Sequence, residues 1–152
     1  MSMKINKCPL TDSKEELLIA IAMHISDVQK GCAFIANKII EAGINHDNTK
    51  MTAADIDIFI EEGNTGINLK DSPWLKSHRN NNRHHFHQIE NCPDDYNLID
   101  VIESLVDCVM AVKARKGQTV KMDTDFISSE LLAKAFKNTI EMLETEIIVE
   151  YK

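Results

Sequence analysis

A long, uninterrupted helical periodicity in the first third of the chain constrains the fold most. The segment opens with Ser13-Lys14-Glu15-Glu16, which has the form of a capping box, and its apolar residues then recur at helical spacing. These apolar residues are Leu17, Leu18, Ile21, Ile25, Val28, Cys32, Ile35 and Ile39. Gly43 is a natural end, because glycine tolerates the left-handed conformation that closes many helices. The pattern therefore predicts amphipathic helix over about residues 13–42.

Several later segments have the same helical pattern, and none keeps a strand-like alternation for more than a few residues. Predicted helices begin near Thr52, Ser72, Asp95 and Asp125, and the third of them ends at Lys116, before Gly117. Residues 80–95 are too polar for an element of the core. Only five Gly, three Pro and 5% aromatic residues also favour helices. We predict an all-α bundle of about five to six helices, in a single domain over 1–152 with its core between about 12 and 147.

The net charge and the hydropathy of the chain limit the kinds of binding partner that we expect. The chain has 17 Lys and Arg against 24 Asp and Glu, a net charge of −7, whereas a protein that binds duplex nucleic acid normally has a basic face. We see no run of about 18 apolar residues and no apolar signal core at the N-terminus, so we expect no membrane partner and a cytoplasmic location. The four cysteines, Cys8, Cys32, Cys92 and Cys108, form no CxxC pair and are predicted to be free thiols.

Histidine is the unusual residue type in this sequence, and its order along the chain predicts a metal site. The predicted ligands are His24, His46, Asp47, His78, His84, His85 and Asp107. Imidazole and carboxylate together suit Mn, Fe, Co, Ni or Zn, as one ion or two. Asp107 interrupts an apolar helix, where a buried carboxylate is costly unless it is paired or bound to metal. Glu103 lies four residues earlier on the same helix face, from which it could orient a histidine.

Two cations near these residues could hold a phosphate group. Lys50 follows Asp47 by three positions and is a mobile cation able to contact a phosphate oxygen beside a metal. Arg83 precedes the His84-His85 pair, and its guanidinium could clamp a phosphate with two hydrogen bonds. We therefore place Asp47, Lys50 and Arg83 in the predicted catalytic set, with Lys50 and Arg83 neutralising charge that develops on phosphate oxygens.

The order H…HD…H…HH…D, with a lysine three positions after the HD doublet, resembles the HD-domain superfamily of metal-dependent phosphohydrolases. The segments HISDV, HDNTK, HRNNNRHH and NLIDVIESLVD are also similar to small HD-like proteins of bacteria and phages whose function is unassigned. The resemblance spans roughly residues 24–116. It implies an all-α fold, one or two divalent ions held by His and Asp, and hydrolysis of a phosphate ester or anhydride.

The resemblance also implies roles for individual residues. His24 matches the first histidine of the family pattern, His46 and Asp47 match the doublet, and Asp107 matches the closing aspartate. His84 and His85 match the additional histidines of two-metal members, and Lys50 matches the lysine that contacts substrate phosphate.

The position of His24 conflicts with a single straight helix. If residues 13–42 form one helix, His24 lies about 27 Å from its C-terminal end, at roughly 1.5 Å per residue. The few residues from there to His46 span at most about 14 Å. We therefore expect either a break near Gly31, because glycine weakens a helix, or a His24 that acts in the site of a partner subunit.

The favoured function is hydrolysis of a small-molecule phosphate compound by metal-activated water, with a nucleotide as the expected substrate. The nucleotide rests on family analogy, because the sequence contains no base-reading motif. Two alternatives come from other classes. One is a binding module that holds a nucleotide or a protein without turnover, and the other is a di-iron oxygenase on the same scaffold. A homodimer is left open.

Overall fold

The computed structural model of the chain describes residues 2–6, 13–66, 72–88, 92–117 and 127–150, and these are mostly helical. The α-helices are α1 (Lys14–Asn45), α2 (Ala53–Thr65), α3 (Pro73–Asn81), α4 (Leu98–Lys116) and α5 (Ser129–Glu146). A first 3₁₀ helix, Asn48–Met51, precedes α2, and a second, Arg83–Gln88, follows α3. The predicted all-α bundle of five to six helices is confirmed.

Two short strands, which the sequence pattern does not predict, pair segments near the two ends of the chain. β1 (Met3–Asn6) and β2 (Ile147–Glu150) run parallel, with Met3 opposite Ile147 and Asn6 opposite Glu150. β2 follows α5 directly. Segments of four residues are too short to show a period, so only their pairing across the length of the chain makes them strands.

Side-chain caps determine where the helices near the site begin. The hydroxyls of Thr52 and Ser72 each accept a helix amide, at 3.1 and 3.0 Å, so α2 and α3 begin where the sequence predicts. Asn97 and Asp100 form a capping box at the start of α4, in which each side chain accepts a hydrogen bond from the backbone amide of the other residue. This capping box places the first residue of α4 at Leu98, a little later than predicted.

Two of the predictions fall partly outside the described residues. Cys8 is one of the residues outside them, while the other three cysteines are free thiols, as predicted. Asp125, the predicted start of the last helix, also lies outside them, and the described helix α5 begins at Ser129.

α1 is continuous throughout its described length, so the expected break near Gly31 is wrong. The helix runs from Lys14 to Asn45 without interruption. A Cβ placed on Gly31 meets nothing within 4 Å, and the residue has no positive φ, so neither a kink nor a close contact requires glycine there. One glycine costs a helix only roughly 1 kcal/mol, which the rest of α1 outweighs.

We expect Gly31→Ala to stabilise the protein by roughly 0.5–1 kcal/mol, because alanine loses less conformational entropy than glycine when it enters a continuous helix. Urea unfolding of the two proteins measures the difference in the free energy of unfolding. A destabilised variant would show that the helix bends at Gly31 in solution.

The most buried apolar side chains come from the second 3₁₀ helix, the segment before α4, and α5 with the residues that precede it. They are Phe86, Tyr96, Ile127 and Ala135. The rings of Phe86 and Tyr96 stack with their centroids 4.7 Å apart, and the Tyr96 hydroxyl donates to a backbone carbonyl of α5 at 3.1 Å. The interpretation of residues 80–95 as too polar for the core is therefore wrong, since Phe86 and His84 are both about 1% exposed.

α1 contributes little to this core. None of its residues is buried within the described part of the chain, and the large apolar side chains of its N-terminal half are about half exposed. By length and composition alone, residues 14–50 could cross a membrane, a test that core helices of soluble proteins and N-terminal signal sequences also pass. The cytoplasmic location and the lack of a membrane partner therefore stay predictions.

Candidate metal centre

Side chains from four segments meet beside the C-terminal end of α1. His46 and Asp47 form the turn after α1, His78 lies on α3, His84 and His85 lie on the second 3₁₀ helix, and Asp107 lies on α4. We call these six residues the metal cluster. Their ligand atoms form two groups, within each of which all atoms lie within 4.8 Å of one another. The first group is Asp47, His78, His84 and His85, and the second is His46, His84 and Asp107.

The backbone at Asp47 explains how two neighbouring residues face one centre. Asp47 has φ 55° and ψ 22°, and it is the only non-glycine residue in the described part of the chain with a positive φ. Aspartate tolerates this left-handed conformation better than most residues, because its short side chain can bond locally. The Lys50 amide donates to the Asp47 carbonyl at 2.8 Å, which opens the first 3₁₀ helix. As a result, Nε2 of His46 lies 3.3 Å from Oδ2 of Asp47.

The Asp47 carboxylate lies between Lys50 and the histidines. Its Oδ2 accepts a hydrogen bond from Lys50 Nζ at 2.5 Å, while Oδ1 lies 3.3 Å from Nε2 of His78 and 3.6 Å from Nε2 of His84. Burial raises the pKa of this carboxyl, but the hydrogen bond and charge of Lys50, with His46 and His78 nearby, hold the pKa below its usual value. Asp47 is therefore ionised at neutral pH, as a metal ligand must be.

Two buried atoms of the cluster have no hydrogen-bond partner among the described residues. They are Oδ1 of Asp47 and Nε2 of His84. Leaving a buried polar atom unpaired is costly, and a cation between the two would satisfy both of them. Ligand atoms about 2.1 Å from one tetrahedral ion are about 3.4 Å apart, which is close to the observed separation of 3.6 Å. The side chains present therefore fit a divalent metal ion.

One carboxylate oxygen orients two of the histidines. Oε1 of Glu103 lies 2.9 Å from Nδ1 of His46 and 3.0 Å from Nδ1 of His84. Burial raises the pKa of Glu103, but the hydrogen bonds from His84 and His46 outweigh it and lower the pKa below its usual value. Glu103 therefore accepts from both rings, and each ring turns the lone pair of Nε2 towards the cluster. Glu103 thus occupies the position from which the sequence predicted that it could orient a histidine.

We expect Glu103→Gln to weaken metal binding by about 10–100-fold, the usual cost of losing the hydrogen-bond partner of a metal-ligating histidine. Glutamine keeps the length of the side chain, but its single uncharged oxygen holds two imidazoles less firmly. Competition with a fluorescent chelator measures the dissociation constant. Glu144→Gln, on an exposed position of α5, is the matched control. Unchanged affinity in Glu103→Gln would contradict the orienting role.

His78 and His85 are neutral at physiological pH. Their Nε2 atoms lie 2.9 Å apart. Burial, and then the charge of Lys50, lowers the pKa of His78 to about 4. Burial, and then the neighbouring His84 and His78, lowers the pKa of His85 to about 3. These two rings are therefore uncharged near pH 7, as metal binding requires of an imidazole.

Two residues that hold His78 in place were not predicted from the sequence. The indole of Trp74 stacks on the His78 ring, with centroids 5.5 Å apart and planes at 11°. The Asn82 amide donates to the His78 carbonyl at 2.7 Å and to Thr49 Oγ1 at 3.1 Å, which ties the end of α3 to the first 3₁₀ helix. Trp74 is four residues before His78, a helical spacing that could have identified it. Nothing singles out Asn82 among three successive asparagines.

Arg83 does not have the predicted role of a phosphate clamp. Its Nε and Nη2 donate to the two carboxylate oxygens of Asp100, each at 3.0 Å. Its Nη1 donates to the Asp95 carboxylate at 2.9 Å, and Nη2 also donates to the Asp95 carbonyl at 3.1 Å. A guanidinium has five N–H donors, so most of them are already in use. Arg83 therefore fastens the second 3₁₀ helix to the start of α4.

His24 does not join the metal cluster. It is exposed on α1, 22 positions before His46, which is about 33 Å along a straight helix. The prediction of His24 as a ligand in the same chain required a break near Gly31, and the described helix has none. A role for His24 in a partner's site stays a hypothesis.

Comparisons of the chain with models of known protein families, with curated proteins and with solved structures give no match. The resemblance to the HD-domain superfamily therefore rests on the residue pattern alone and stays a prediction.

Proposed function

We propose that the protein is a divalent-metal-dependent hydrolase of a phosphate ester or anhydride. Two buried atoms of the metal cluster support this proposal: Asp47 Oδ1 and His84 Nε2, which have no hydrogen-bond partner among the residues that the structure describes. This mixture of ligands suits Mn, Fe, Co, Ni or Zn. Two overlapping ligand groups that share His84 support one ion or two.

The residues of the metal cluster would have different roles in the proposed reaction. Asp47, His78, His84 and His85 would hold one ion. His46 and Asp107 would hold a second without His84, because Nδ1 of His84 faces Glu103 and its Nε2 can bind only one ion at a time. A bound divalent ion supplies the Lewis acidity that makes water nucleophilic near neutral pH. In the overall hydrolysis a water oxygen bonds to phosphorus, the P–O bond to the leaving group breaks, and the leaving group departs with a proton from that water.

Lys50 would bind a phosphate oxygen in the proposed reaction. Its Nζ donates to Asp47, which holds it beside the cluster, and its side chain is 35% exposed. An ammonium group has three donors, so two are left for oxygens of a substrate. Positive charge at this position stabilises the negative charge that develops on phosphate oxygens during the reaction.

Lys50→Ala should keep its metal and lose about 10²–10³ in kcat, the usual effect of removing one group that stabilises charge in a transition state. Steady-state phosphate release and elemental analysis of the same samples measure the two quantities. Lys30→Ala is the matched control, because Lys30 pairs with Asp27 at the same sequence spacing on an exposed part of α1. An unchanged kcat in Lys50→Ala would show that Lys50 pairs with Asp47 but takes no part in the reaction.

Elemental analysis of the purified protein, followed by a phosphate-release screen, tests the proposal as a whole. The screen covers aryl and alkyl phosphates and mono-, tri- and cyclic nucleotides, and chromatography of the products detects hydrolysis that releases no free phosphate. We expect phosphate release that EDTA abolishes and that added Mn²⁺ or another divalent ion restores. Two irons with consumption of oxygen would instead indicate an oxygenase, and tight ligand binding without any product would indicate a binding module.

A further inference from the structure

An apolar cavity lies directly beside the metal cluster. It has a volume of about 310 Å³ and lies between the C-terminal half of α1, around Ile39 and Gly43, and the facing side of α4, around Ile102 and Val106. His46 and Asp107 also line it, and both belong to the metal cluster. Val106, one of the lining residues, is 53% exposed, so the cavity is open to solvent. A molecule bound at the cluster therefore has this cavity next to it.

The residues that line the cavity determine which chemical groups it can bind. Apart from His46, Glu103 and Asp107, the lining residues are apolar or, like Gly43, have no side chain. None of the described lysines or arginines lines the cavity. A nucleobase or sugar would give up hydrogen bonds to water there and find few replacements, which is unfavourable. A hydrocarbon chain or ring gains by leaving water. At about 30 Å³ for a water-sized group, the cavity holds on the order of ten non-hydrogen atoms.

We propose that this cavity binds the organic part of the substrate, so that phosphate esters of apolar alcohols are preferred over nucleotides. The inference rests on the proposed function, because it requires the phosphate end to lie at the metal cluster near Lys50. His46 and Asp107 line both sites, so a phosphate held at the cluster presents its ester substituent to the cavity. In this proposal, such esters take the place of the nucleotide that the sequence favours.

Alkylphosphonates test the proposal, because their C–P bond resists hydrolysis and their head resembles a phosphate ester. Calorimetry on the Mn²⁺-loaded protein compares methyl-, butyl- and octylphosphonate with adenosine monophosphate. We expect the dissociation constant to fall about three- to fourfold for each methylene between methyl- and butylphosphonate. Equal affinity for methyl- and butylphosphonate, or tighter binding of adenosine monophosphate than of octylphosphonate, would overturn the proposal.

Two glycines on α1 supply a matched pair of variants. A Cβ on Gly43 or on Gly31 meets no described atom within 4 Å, and neither residue has a positive φ, so the backbone accepts a side chain at both positions. Gly43 lines the cavity and Gly31 does not. Gly43→Leu should remove the advantage of butyl- over methylphosphonate, while Gly31→Leu keeps it. If Gly43→Leu fails to fold, Val106→Phe blocks the cavity from the facing helix.

The outcomes separate this inference from the proposed function. Chain-length dependence with no hydrolysis of any phosphate ester would support the cavity and refute the hydrolase. Hydrolysis without chain-length dependence would refute the cavity alone. If the protein takes up no metal, the proposed function fails, and anilinonaphthalenesulfonate fluorescence then compares the cavity of Gly43→Leu with that of Gly31→Leu. Equal fluorescence in those two variants would refute the cavity as well.

Discussion

Asp47→Asn should abolish metal binding and, with it, phosphate release, while the helical content stays the same. Asp47 is the only carboxylate of the first ligand group, and its oxygens lie within 3.6 Å of His46, His78 and His84. Asparagine has nearly the same shape and also tolerates the left-handed backbone at φ 55°, so the substitution removes mainly the charge. Alanine would combine that loss with backbone strain, which makes it the poorer test.

Isothermal titration with Mn²⁺ and Zn²⁺, together with far-UV circular dichroism, measures the two expectations for Asp47→Asn. Asp27→Asn is the matched control. Like Asp47, Asp27 pairs with a lysine three positions later, but it lies far from the cluster. Full metal occupancy in Asp47→Asn, with unchanged phosphate release, would refute the assignment of the doublet as a ligand pair.

His84→Ala should cost more metal than His85→Ala. His84 belongs to both ligand groups, whereas His85 belongs only to the group that contains Asp47 and His78. The loss of His84 also removes one of the two imidazoles that fix the Glu103 carboxylate, which in turn positions His46 of the second group. We therefore expect His84→Ala to lose all bound metal, and His85→Ala to lose one ion at most. Phosphate release should follow the same order.

Metal-to-protein ratios from mass spectrometry of the dialysed variants distinguish these results. His87→Ala, from the same 3₁₀ helix but outside both groups, is the control for local disturbance. Equal losses in His84→Ala and His85→Ala would show that the two groups do not share His84, and full occupancy in both would remove the second 3₁₀ helix from the site.

Local rules were sufficient for several parts of the candidate site. The spacing of Glu103 and Asp107 on one helix face follows from 3.6 residues per turn, and the structure places Glu103 where it can orient two rings. Asp47 and Lys50 were expected near each other because three positions separate them, and they form an ion pair. Thr52 and Ser72 mark helix starts because each hydroxyl needs only a nearby amide.

Features that depend on distant partners could not be predicted in the same way. A guanidinium bonds a phosphate and a carboxylate equally well, and only the fold brings Asp100 to Arg83. His84 is buried because Glu103, on another element, accepts its ring proton, so the polar composition of residues 80–95 was misleading. For His24 the family pattern favoured a break in α1, although a single glycine was too small a penalty to cause one.

The shared hydrogen bond of Glu103 has a consequence for the speed of metal capture. Because one carboxylate oxygen holds both His46 and His84, neither ring has to rotate or exchange its proton position when an ion enters. Little torsional freedom is left to lose at these two side chains, which is the benefit of a preorganised site. The slow step of capture should then be the departure of water molecules from the ion itself, so that ions which exchange their hydration shell slowly enter last.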